Sequence, residues 1–531
     1  MDKYDTYDEF KEKCKVANLE NECEAVKLFL RKNDVRVNPH NSKIIEFFKD
    51  KNIFITGATG FLGKLLLEKL LRACPNLNSI YVLVRPKKGK TMEERVDDIF
   101  KDPVYFPLQD IFPKYREKVH GIQGDISFPE LGMSERDRKF LSNKINVIFH
   151  VAATTKFDEF IGQAVAINVK GTKEVVKLGK LCVNLNSLVY VSTAFSQCTQ
   201  KHMEEKFYDP PINSDQLIGL TEKHSKPELE KMLTFLLGQW PNTYCYTKAV
   251  AEDVVKNTAK DIRACVYRPS IVVSTYQEPH IGWIDNMFGP IGALAGTGCG
   301  LLRVYCADEK VGAEMVPADY VTNGMITAAY KTAQQKVESE PKVYNFVSGR
   351  QNKVTWGEFM DWNKKDCGDV FPMRAIWYFS LMLTKHVFMF KFLSFFLHTL
   401  PAVLMDIVLK IYGSKISMMK SYEKIEKFML ATKFVSCRDW SHTDDNTREL
   451  WESLNDSDKR AFPFDIKNLN WKNYTLTIAA GARTFLLKES WGNLAQARKR
   501  RNMFYVLHQL VKLTFGLLFF RIVYMIFTMF Y

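Results

Sequence analysis

The sequence lacks the cysteine patterns of zinc-binding and disulfide-rich proteins. Its eleven cysteines form no Cys-x-x-Cys pair and no cluster with histidine at zinc-ligand spacing, so neither structural zinc nor disulfides are expected. The N-terminus carries charges where a secretory signal needs an apolar core. The chain also has no internal repeat and no low-complexity tract. We therefore expect a cytosol-facing protein with reduced thiols and no metal.

Acidic residues are in the minority. The chain has 60 aspartates and glutamates against 74 lysines and arginines, a formal net charge of +14. This excess suits an anionic partner such as a nucleic acid, a coenzyme A ester or an anionic membrane surface. A chain of 531 residues with 46% hydrophobic residues can bury a large core. It predicts two domains, or one domain with a long appendage.

A glycine-rich turn follows the first strongly apolar segment. Residues 53–63 read Ile-Phe-Ile-Thr-Gly-Ala-Thr-Gly-Phe-Leu-Gly, which predicts a buried strand that passes through a tight turn into a helix. Glycines in such a turn let the backbone approach a phosphate, and the helix start points its partial positive charge at the anion. The turn therefore predicts a dinucleotide-binding site. Its candidate residues are Gly57, Thr59, Gly60, Phe61, Leu62 and Gly63.

A second strand completes this nucleotide-binding unit. The helical pattern from Phe61 to Ala73 leads into an apolar strand that ends at Arg85. In such βαβ units an acid at this position binds a free ribose 2′-hydroxyl, whereas an arginine accommodates a 2′-phosphate. Arg85, followed by Lys87 and Lys88, therefore favours NADPH over NADH. The alternative is an ordinary solvated basic turn.

Apolar strands and periodic helices alternate from about residue 42 to residue 335. Candidate strands lie near residues 52–56, 80–85, 118–123, 146–151, 187–192 and 263–268. The alternation predicts an α/β fold with a Rossmann-type doubly wound parallel sheet, whose ligands collect at the carboxyl ends of the strands. Asp125 and Ala152 follow two of these strands and are candidate cofactor contacts; a turn-capping aspartate and a packed alanine are the alternatives. We interpret His150 as a hydrogen-bonded core histidine.

Three later residues point to carbonyl chemistry. Thr193 ends one strand, and Tyr244 and Lys248, four residues apart, share one face of a predicted helix. A carbonyl reductase needs an acid that protonates the oxygen, and a tyrosine at its usual pKa of about 10 is a slow donor. We expect Lys248 to lower the pKa of Tyr244 and to bind the nicotinamide ribose, and Thr193 to hold the carbonyl oxygen. Cys245 faces another side of the helix and is not expected to be a nucleophile.

These motifs as a set resemble the extended short-chain dehydrogenase/reductase superfamily, and more narrowly the fatty acyl-CoA reductases. The resemblance rests on residues 56–63, 83–89, 191–194 and 241–248 and spans about residues 42–490. It implies reduction of a long-chain fatty acyl-CoA to a primary alcohol through an aldehyde, with two NADPH consumed and CoA released. It also implies that Asn168 supports the proton relay; an ordinary polar helix residue is the alternative.

Three alternatives stay open at this point. An acyl-CoA reductase that stops at the aldehyde has the same catalytic residues. An NADP-dependent steroid dehydrogenase or sugar-nucleotide epimerase shares the fold. The third alternative is a binding or regulatory protein that has kept the cofactor fold without turnover, although intact Thr193, Tyr244 and Lys248 speak against it.

The composition changes along the last third of the chain. We predict an N-terminal extension at residues 1–41, an NADPH-binding catalytic Rossmann domain at 42–365, a mostly helical, male-sterility-like domain at 366–490, and a basic cluster with a hydrophobic membrane anchor at 491–531. The uncharged run at 392–405 has only fourteen residues. A spanning helix needs about 20, so an interfacial or substrate-capping hairpin is favoured there over a span, with core packing as the alternative.

The basic run at residues 498–501 favours a cytosolic catalytic part. The expected partners are a long-chain fatty acyl-CoA and membrane lipid rather than a nucleic acid, and a homo-oligomer is compatible with the sequence. No peroxisomal tripeptide ends the chain, which favours the endoplasmic reticulum over the peroxisome.

Overall fold

A parallel sheet lies at the centre of the molecule. The computed structural model describes residues 24–31, 37, 40–414 and 417–530. Its strands are β1 Asn52–Thr56, β2 Ser79–Val84, β3 Val119–Gln123, β4 Val147–His150, β5 Ser187–Val191, β6 Ala264–Pro269, β7 Ile271–Val273, β8 Val304–Cys306, β9 Met315–Pro317, β10 Lys342–Phe346 and β11 Met382–Thr384. Within the described residues, seven of them pair in the order β10-β6-β5-β4-β1-β2-β3, all parallel. In addition, β7 pairs with β9 and β8 with β11.

The strand order reverses at β1. The chain winds outward through β2 and β3, returns to place β4 on the other side of β1, and then continues outward to β10. In such sheets ligands bind in the crevice at the carboxyl ends of the strands beside the reversal. The predicted doubly wound sheet is confirmed, and the six predicted strands agree with the structure to within one residue at each end. The prediction missed β10, whose apolar run is broken by Lys342 and Asn345.

Helices cover both faces of the sheet and build the C-terminal region. They are α1 Glu24–Leu30, α2 Lys43–Phe48, α3 Phe61–Ala73, α4 Met92–Ile99, α5 Phe106–Ile111, α6 Glu135–Lys144, α7 Ile161–Ala164, α8 Gly171–Leu181, α9 Ser214–Lys223, α10 Lys226–Leu237, α11 Thr243–Thr258, α12 Gly289–Gly298, α13 Ala318–Thr332, α14 Trp356–Asp366, α15 Val387–Ser394, α16 Leu400–Ile411, α17 Met418–Ser436, α18 Asp445–Glu452, α19 Asp456–Ala461, α20 Trp471–Gly481 and α21 Leu494–Phe530. Short π-helical segments, Val165–Lys170, Phe395–Thr399 and Ala482–Leu486, continue α7, α15 and α20.

The strands are buried on both faces. Along β1, Ile53 and Ile55 join the hydrophobic cluster on one face of the sheet, whereas Phe54 joins the cluster on the other. Side chains alternate across a strand, so an uninterrupted apolar strand needs cover on both sides. Leu66 of α3 contributes to the first cluster and Val175 of α8 to the second. These helices therefore hold the carboxyl ends of the strands, and the site there, in fixed positions.

The C-terminal helices pack directly against the nucleotide-binding region. Asp458 accepts hydrogen bonds from Ser42 Oγ at 2.6 Å and from the backbone amide of Ile44 at 3.1 Å. Gly481 lies so close to Gly282 that a Cβ on Gly481 would be 1.9 Å from the Gly282 carbonyl oxygen. The two regions therefore share buried surface. The predicted extension at residues 1–41 lies mostly outside the described residues, and its described helix α1 packs against α20.

Two helical segments expose long apolar surfaces. Val387–Ile411 and Trp491–Met529 are long and apolar enough to cross a membrane by length and composition, which suggests, weakly, membrane association. In the first segment every fourth side chain, Phe390, Ser394, His398 and Ala402, is buried against the protein, while most of the others are exposed. The second segment is almost wholly exposed beyond Phe504.

His398 fastens the first segment to the body of the protein. Its ring stacks on Tyr422 at a centroid distance of 4.9 Å, and its Nε2 accepts a hydrogen bond from the Arg303 amide at 2.9 Å. The helix extends beyond the uncharged run at 392–405 and includes Lys391 and Asp406. The segment is thus held along one side and exposes apolar side chains on the other.

Candidate active site

The glycine turn after β1 has the shape of a phosphate cradle. Gly57 has a φ of 79°, and a Cβ there would lie 2.7 Å from the amide nitrogen of Ala152. A Cβ on Gly63 would lie 2.0 Å from the carbonyl oxygen of Gly57. Only glycine therefore fits at these two positions. Gly60 and Thr59 are exposed, and Gly60 caps α3 without a side-chain hydrogen bond, so the start of α3 is open to an anion.

The first turn of α3 is fixed from the opposite side. Phe61 stacks on Trp283 at a centroid distance of 5.3 Å, and Leu62 is half-buried against the main core. Lys64 Nζ binds Asp102 at 2.7 Å and Asp285 at 2.9 Å. Because these side chains are used for packing, Phe61 and Leu62 would serve a dinucleotide through their backbone amides.

Arg85, Asp125 and Ala152 lie at the carboxyl ends of neighbouring strands. Arg85 directly follows β2 and is exposed, with no hydrogen bond or ion pair recorded to another described residue. Asp125 Oδ1 accepts hydrogen bonds from the amide and hydroxyl of Ser127 at 3.0 and 2.8 Å, so it caps a turn in this structure. The Ala152 amide donates to Thr56 Oγ1 at 3.3 Å. All three remain predicted cofactor contacts.

His150 is a core histidine, as the sequence predicts. Its Nδ1 lies 2.8 Å from Thr56 Oγ1 and its Nε2 lies 3.0 Å from Thr172 Oγ1. Burial lowers the pKa of His150 to about 3, so the ring is neutral at physiological pH. Its role is to link β1 to α8.

Thr193 and Tyr244 are brought together by the end of β5 and the start of α11. Asn242 caps α11 by accepting a hydrogen bond from the Cys245 amide at 2.8 Å, and this places Tyr244 in the first turn. The hydroxyl of Thr193 lies near the Tyr244 phenol. Burial raises the pKa of Tyr244 above its ordinary value, and the nearby Thr193 side chain opposes that shift. The phenol is therefore a neutral proton donor.

Lys248 lies one helical turn further along α11 and is buried. Its Nζ donates to the Val191 carbonyl oxygen at 2.7 Å and lies 4.8 Å from the centroid of the Tyr190 ring. Burial lowers the pKa of Lys248 to about 7, and the charge of Glu252 opposes the shift. In this structure burial outweighs the expected effect of Lys248, because the pKa of Tyr244 is raised and not lowered; the action of Lys248 on the phenol stays a prediction. The ammonium is placed at the carboxyl end of β5.

Glu252 and Arg268 hold the loop that carries Thr193. Glu252 accepts hydrogen bonds from Ser192 Oγ at 2.6 Å and from Ser196 Oγ at 2.9 Å, on either side of Thr193. Arg268 Nη2 pairs with Glu252 at 2.6 Å, and both side chains are almost fully buried. This pair was not predicted from the sequence. The one available signal was spacing, because Tyr244, Lys248 and Glu252 follow one another at intervals of four.

Asn168 lies in the π-helical segment that continues α7. Its Oδ1 accepts from the Thr154 amide at 2.9 Å, and its Nδ2 donates to the Thr154 carbonyl at 3.1 Å and to Thr247 Oγ1 at 2.9 Å. Such local departures from α-helix are frequent at functional sites. These contacts tie the loop after β4 to α11, so Asn168 positions the site.

Cys245 is unsuited to nucleophilic chemistry. It is buried in a cluster with Phe195, Cys198 and Trp440. Burial raises the pKa of its thiol well above the ordinary value. A thiol of this kind is almost entirely protonated at neutral pH and is a poor nucleophile, in agreement with the prediction.

Aromatic side chains form a wall beside Tyr244. The Phe157 ring lies 6.0 Å from the rings of both Tyr244 and Phe434. Phe434 belongs to α17, whose other end is capped by Asp406 of the apolar segment. The stretch from Met232 onward, between β5 and α11, packs on α7 and α11, and the aromatic wall comes from other parts of the chain.

The pH dependence of the reaction tests the state of Lys248. We expect kcat/KM for reduction to fall as the pH rises through about 7, because the buried amine loses its charge there. The unfolded lysine has a pKa of about 10.4. Between the two values the unfolded state binds more protons, so this group makes stability rise with pH while activity falls. A pH profile measured beside thermal midpoints separates the two effects.

Replacing the amine provides the control. Lys248→Arg keeps a positive charge at every accessible pH. We expect the variant to be slower and to lose the decline near pH 7. A decline that persists in Lys248→Arg would show that another group titrates.

Comparisons with known proteins agree with this geometry. Two family models, NAD_binding_4 and Sterile, both described as "Male sterility protein", match residues 55–325 and 397–489. A fatty acyl-CoA reductase of Drosophila melanogaster, "Fatty acyl-CoA reductase wat", is 41% identical over 463 residues, which cover 87% of this chain and 89% of that protein. The chain belongs to the fatty acyl-CoA reductase family. As a member of that family, it is a nicotinamide-dependent oxidoreductase of the extended short-chain dehydrogenase type.

Other similarities extend this family assignment. "Fatty acyl-CoA reductase 1" of Rattus norvegicus is 37% identical to this chain, and the match covers 86% of this chain and 89% of the rat protein. Among solved structures, the terminal R domain of the myxalamid pathway is similar with a TM-score of 0.51 and 19% identity, covering 89% of this chain and 96% of that domain. The reductase domain of a non-ribosomal peptide synthetase from Mycobacterium tuberculosis is similar with a TM-score of 0.51 and 15% identity, covering 88% of this chain and 96% of that domain. At these identities the structures show a shared fold.

Proposed function

We propose that this protein reduces a long-chain fatty acyl-CoA to a primary alcohol with NADPH as the reductant. The observation that carries the proposal is the grouping of Thr193 and Tyr244, at the end of β5 and the start of α11, with the buried amine of Lys248 one helical turn further along. The group lies at the carboxyl end of β5, on the same edge of the sheet as the glycine turn. The acyl-CoA substrate is taken from the names of the relatives, which agree with the apolar and basic character of the chain.

The glycine turn and Arg85 support the choice of cofactor. The turn offers backbone amides at a position where side chains are excluded, which suits a pyrophosphate. Arg85, exposed at the end of β2, suits a ribose 2′-phosphate and therefore NADPH. When bound, the nicotinamide supplies one hydride in each round of reduction.

The side chains of the site then stabilise the developing negative charge and donate a proton. Addition of a hydride to the thioester carbon creates an oxyanion, and the hydroxyls of Thr193 and Tyr244 donate to it. When the carbonyl re-forms, the carbon–sulfur bond breaks and CoA leaves as the thiolate, which gains a proton from solvent. A second hydride converts the aldehyde into an alkoxide. Tyr244 gives its proton to that alkoxide, and the positive charge of Lys248 stabilises the tyrosinate that remains.

The aromatic wall supports an apolar substrate. Phe157 and Phe434 close the side of the site from which α17 runs to the apolar segment Val387–Ile411. We propose that residues 42–365 carry the chemistry and that residues 366–490 receive the acyl chain. We also propose that the segment and the C-terminal helix attach the enzyme to the cytosolic face of the endoplasmic reticulum, where Arg498 and its basic neighbours meet anionic lipid.

Stoichiometry distinguishes an alcohol-forming enzyme from one that stops at the aldehyde. Purified full-length protein in detergent is incubated with palmitoyl-CoA and NADPH, and NADPH oxidised is compared with alcohol formed. We expect a ratio of about two, because each of the two reduction steps consumes one hydride. One NADPH oxidised for each molecule of aldehyde formed, with no alcohol, would favour the aldehyde-releasing alternative. Oxidation of NADPH with a steroid but not with an acyl-CoA would overturn the proposal.

Arg85→Ala tests the preference for NADPH. We expect the ratio of kcat/KM for NADPH to that for NADH to fall at least tenfold, because the 2′-phosphate loses a charge-assisted contact. The rate with NADH should stay within about twofold. Arg136→Ala is the matched control, since Arg136 is an exposed arginine on α6. An unchanged ratio in Arg85→Ala would remove Arg85 from the cofactor site.

A further inference from the structure

A cavity of about 380 Å³ lies at the base of α21. We name it the basal cavity. It is lined by residues of α12, α14, α20 with its π-helical continuation, and α21, among them Leu294, Asn363, Ala482 and Tyr505. It is separate from the catalytic residues, none of which lines it. Its volume lies at the lower end of the range for ligand pockets, about 300–1,000 Å³.

Cations and apolar side chains line this cavity together. Lys364, Lys365, Arg483 and Arg501 contribute four basic side chains, and no acidic side chain is among the described residues that line it. Three of the four also touch carboxylates: Arg483 pairs with Glu489 at 3.0 Å, Arg501 with Asp369 at 3.4 Å and Lys365 with Asp361 at 2.6 Å. In addition, Arg483 is almost fully buried, and its Nε has no hydrogen-bond partner among the described residues. A buried donor of this kind calls for an acceptor.

The surroundings of the basal cavity indicate where that acceptor comes from. Tyr378 and Tyr505 line it with their rings 5.3 Å apart, and the neighbouring Trp377 Nε1 donates to His508 Nδ1 at 3.2 Å. Trp377 also lies against Arg303, the residue whose amide binds His398 of the apolar segment. Tryptophan and tyrosine collect at the level of lipid headgroups. Both apolar helical segments are thus linked to the aromatic group beside the cavity.

We propose that the basal cavity binds the phosphate-bearing headgroup of an anionic membrane phospholipid. The phosphate binds Lys364, Lys365 and Arg501 and accepts a hydrogen bond from Arg483 Nε, and the glycerol lies against Phe371 and Tyr505. The cavity is too small for the acyl chains, which leave it along the exposed apolar surface of α21. Coenzyme A carries the same phosphate chemistry but is a larger, water-soluble molecule, and the experiment below separates the two sources. The proposal needs membrane attachment, but it does not depend on turnover.

Direct binding in detergent tests the proposal without any enzymatic readout. The full-length chain in a neutral detergent is titrated with dioctanoyl phosphatidylserine, and the lipid that remains bound is counted by native mass spectrometry. Dioctanoyl phosphatidylcholine, inorganic phosphate and coenzyme A form the other arms. We expect one equivalent of the anionic lipid, bound at least tenfold more tightly than the zwitterionic lipid and not displaced by coenzyme A.

Two kinds of variant locate the site. Lys364→Gln with Lys365→Gln removes two charges from the cavity, and Lys499→Gln with Arg500→Gln removes two from a part of α21 that does not line it. Gly298→Leu fills the space, since a Cβ on Gly298 would make only ordinary contacts with Pro372 at 3.9 and 4.0 Å. Its control is Gly219→Leu, where nothing lies within 4 Å.

The cavity variants should each weaken lipid binding at least tenfold, while both controls keep it. Equal weakening in the Lys499 and Arg500 control would reduce the effect to general attraction by the basic cluster and overturn the proposal. Displacement of the lipid by coenzyme A would reassign the basal cavity to the substrate. Equal binding of the two lipids would equally overturn an anionic headgroup site. Retained NADPH-dependent reduction in the variants would keep the reductase proposal intact whatever the lipid result.

Discussion

Tyr244→Phe should lower kcat by about 10²- to 10⁴-fold, the range in which positioned proton donors act. The variant removes the hydroxyl that lies near Thr193 and with it one donor to the developing oxyanion. The ring remains, so Phe157 keeps its neighbour. We expect nicotinamide dinucleotide affinity to change less than threefold. Single-turnover reduction of palmitoyl-CoA and of the corresponding aldehyde, measured separately, shows whether both steps need the phenol.

Tyr246→Phe is the matched control for that experiment. Tyr246 lies two residues further on in α11, is buried, and packs with Val250 in the cluster on the far side of the helix. Removing its hydroxyl should leave kcat within about twofold. If Tyr244→Phe retained more than a tenth of the activity, Tyr244 would not be the proton donor. An equal loss in both variants would instead indicate damage to α11.

Gly63→Ala should weaken binding of the nicotinamide dinucleotide by tenfold or more. The added methyl would lie 2.0 Å from the carbonyl oxygen of Gly57, a backbone atom, so α3 or the turn must move. Either shift displaces the amides that face the pyrophosphate. A tenfold change corresponds to about 1.4 kcal/mol in binding free energy. Titration of the protein with NADPH, followed by nucleotide fluorescence, measures it.

Gly219→Ala separates this effect from the general cost of changing a helical glycine. Gly219 lies within α9, where an added methyl meets nothing within 4 Å. Alanine there should leave binding unchanged and stabilise the protein by about 0.5–1 kcal/mol, because glycine loses more conformational entropy on folding. If Gly63→Ala bound NADPH as tightly as the unchanged protein, the turn would not be the phosphate site.

The parts of the site that could be predicted are those set by short-range spacing. A glycine triplet between a strand and a helix fixes a turn whatever the rest of the chain does. The interval of four between Tyr244 and Lys248 fixes a shared helix face in the same way. Short apolar runs between periodic helices likewise indicate the strands of the sheet. The family resemblance then supplied the substrate, which the turn and the helix face do not specify.

The parts that could not be predicted depend on contacts between distant segments. Arg268 meets Glu252 only because β6 packs beside α11, and the spacing along α11 marks Glu252 but not its partner. Phe434 reaches the site from a region predicted as a separate domain. The placement of Lys248 on Val191 rather than on Tyr244 reflects burial and competing hydrogen-bond acceptors. These properties belong to the folded chain as a whole.

The buried stripe of Phe390, Ser394, His398 and Ala402 has a consequence for motion under the membrane attachment that we propose. A protein attached to a bilayer through a single helix can still swivel and tilt about that helix. A second attachment, fastened along its length to the body, removes most of the tilting and leaves diffusion in the plane of the membrane with rotation about its normal. Encounters with a lipid-soluble molecule then become a search over a surface with the catalytic cleft held at a constant height.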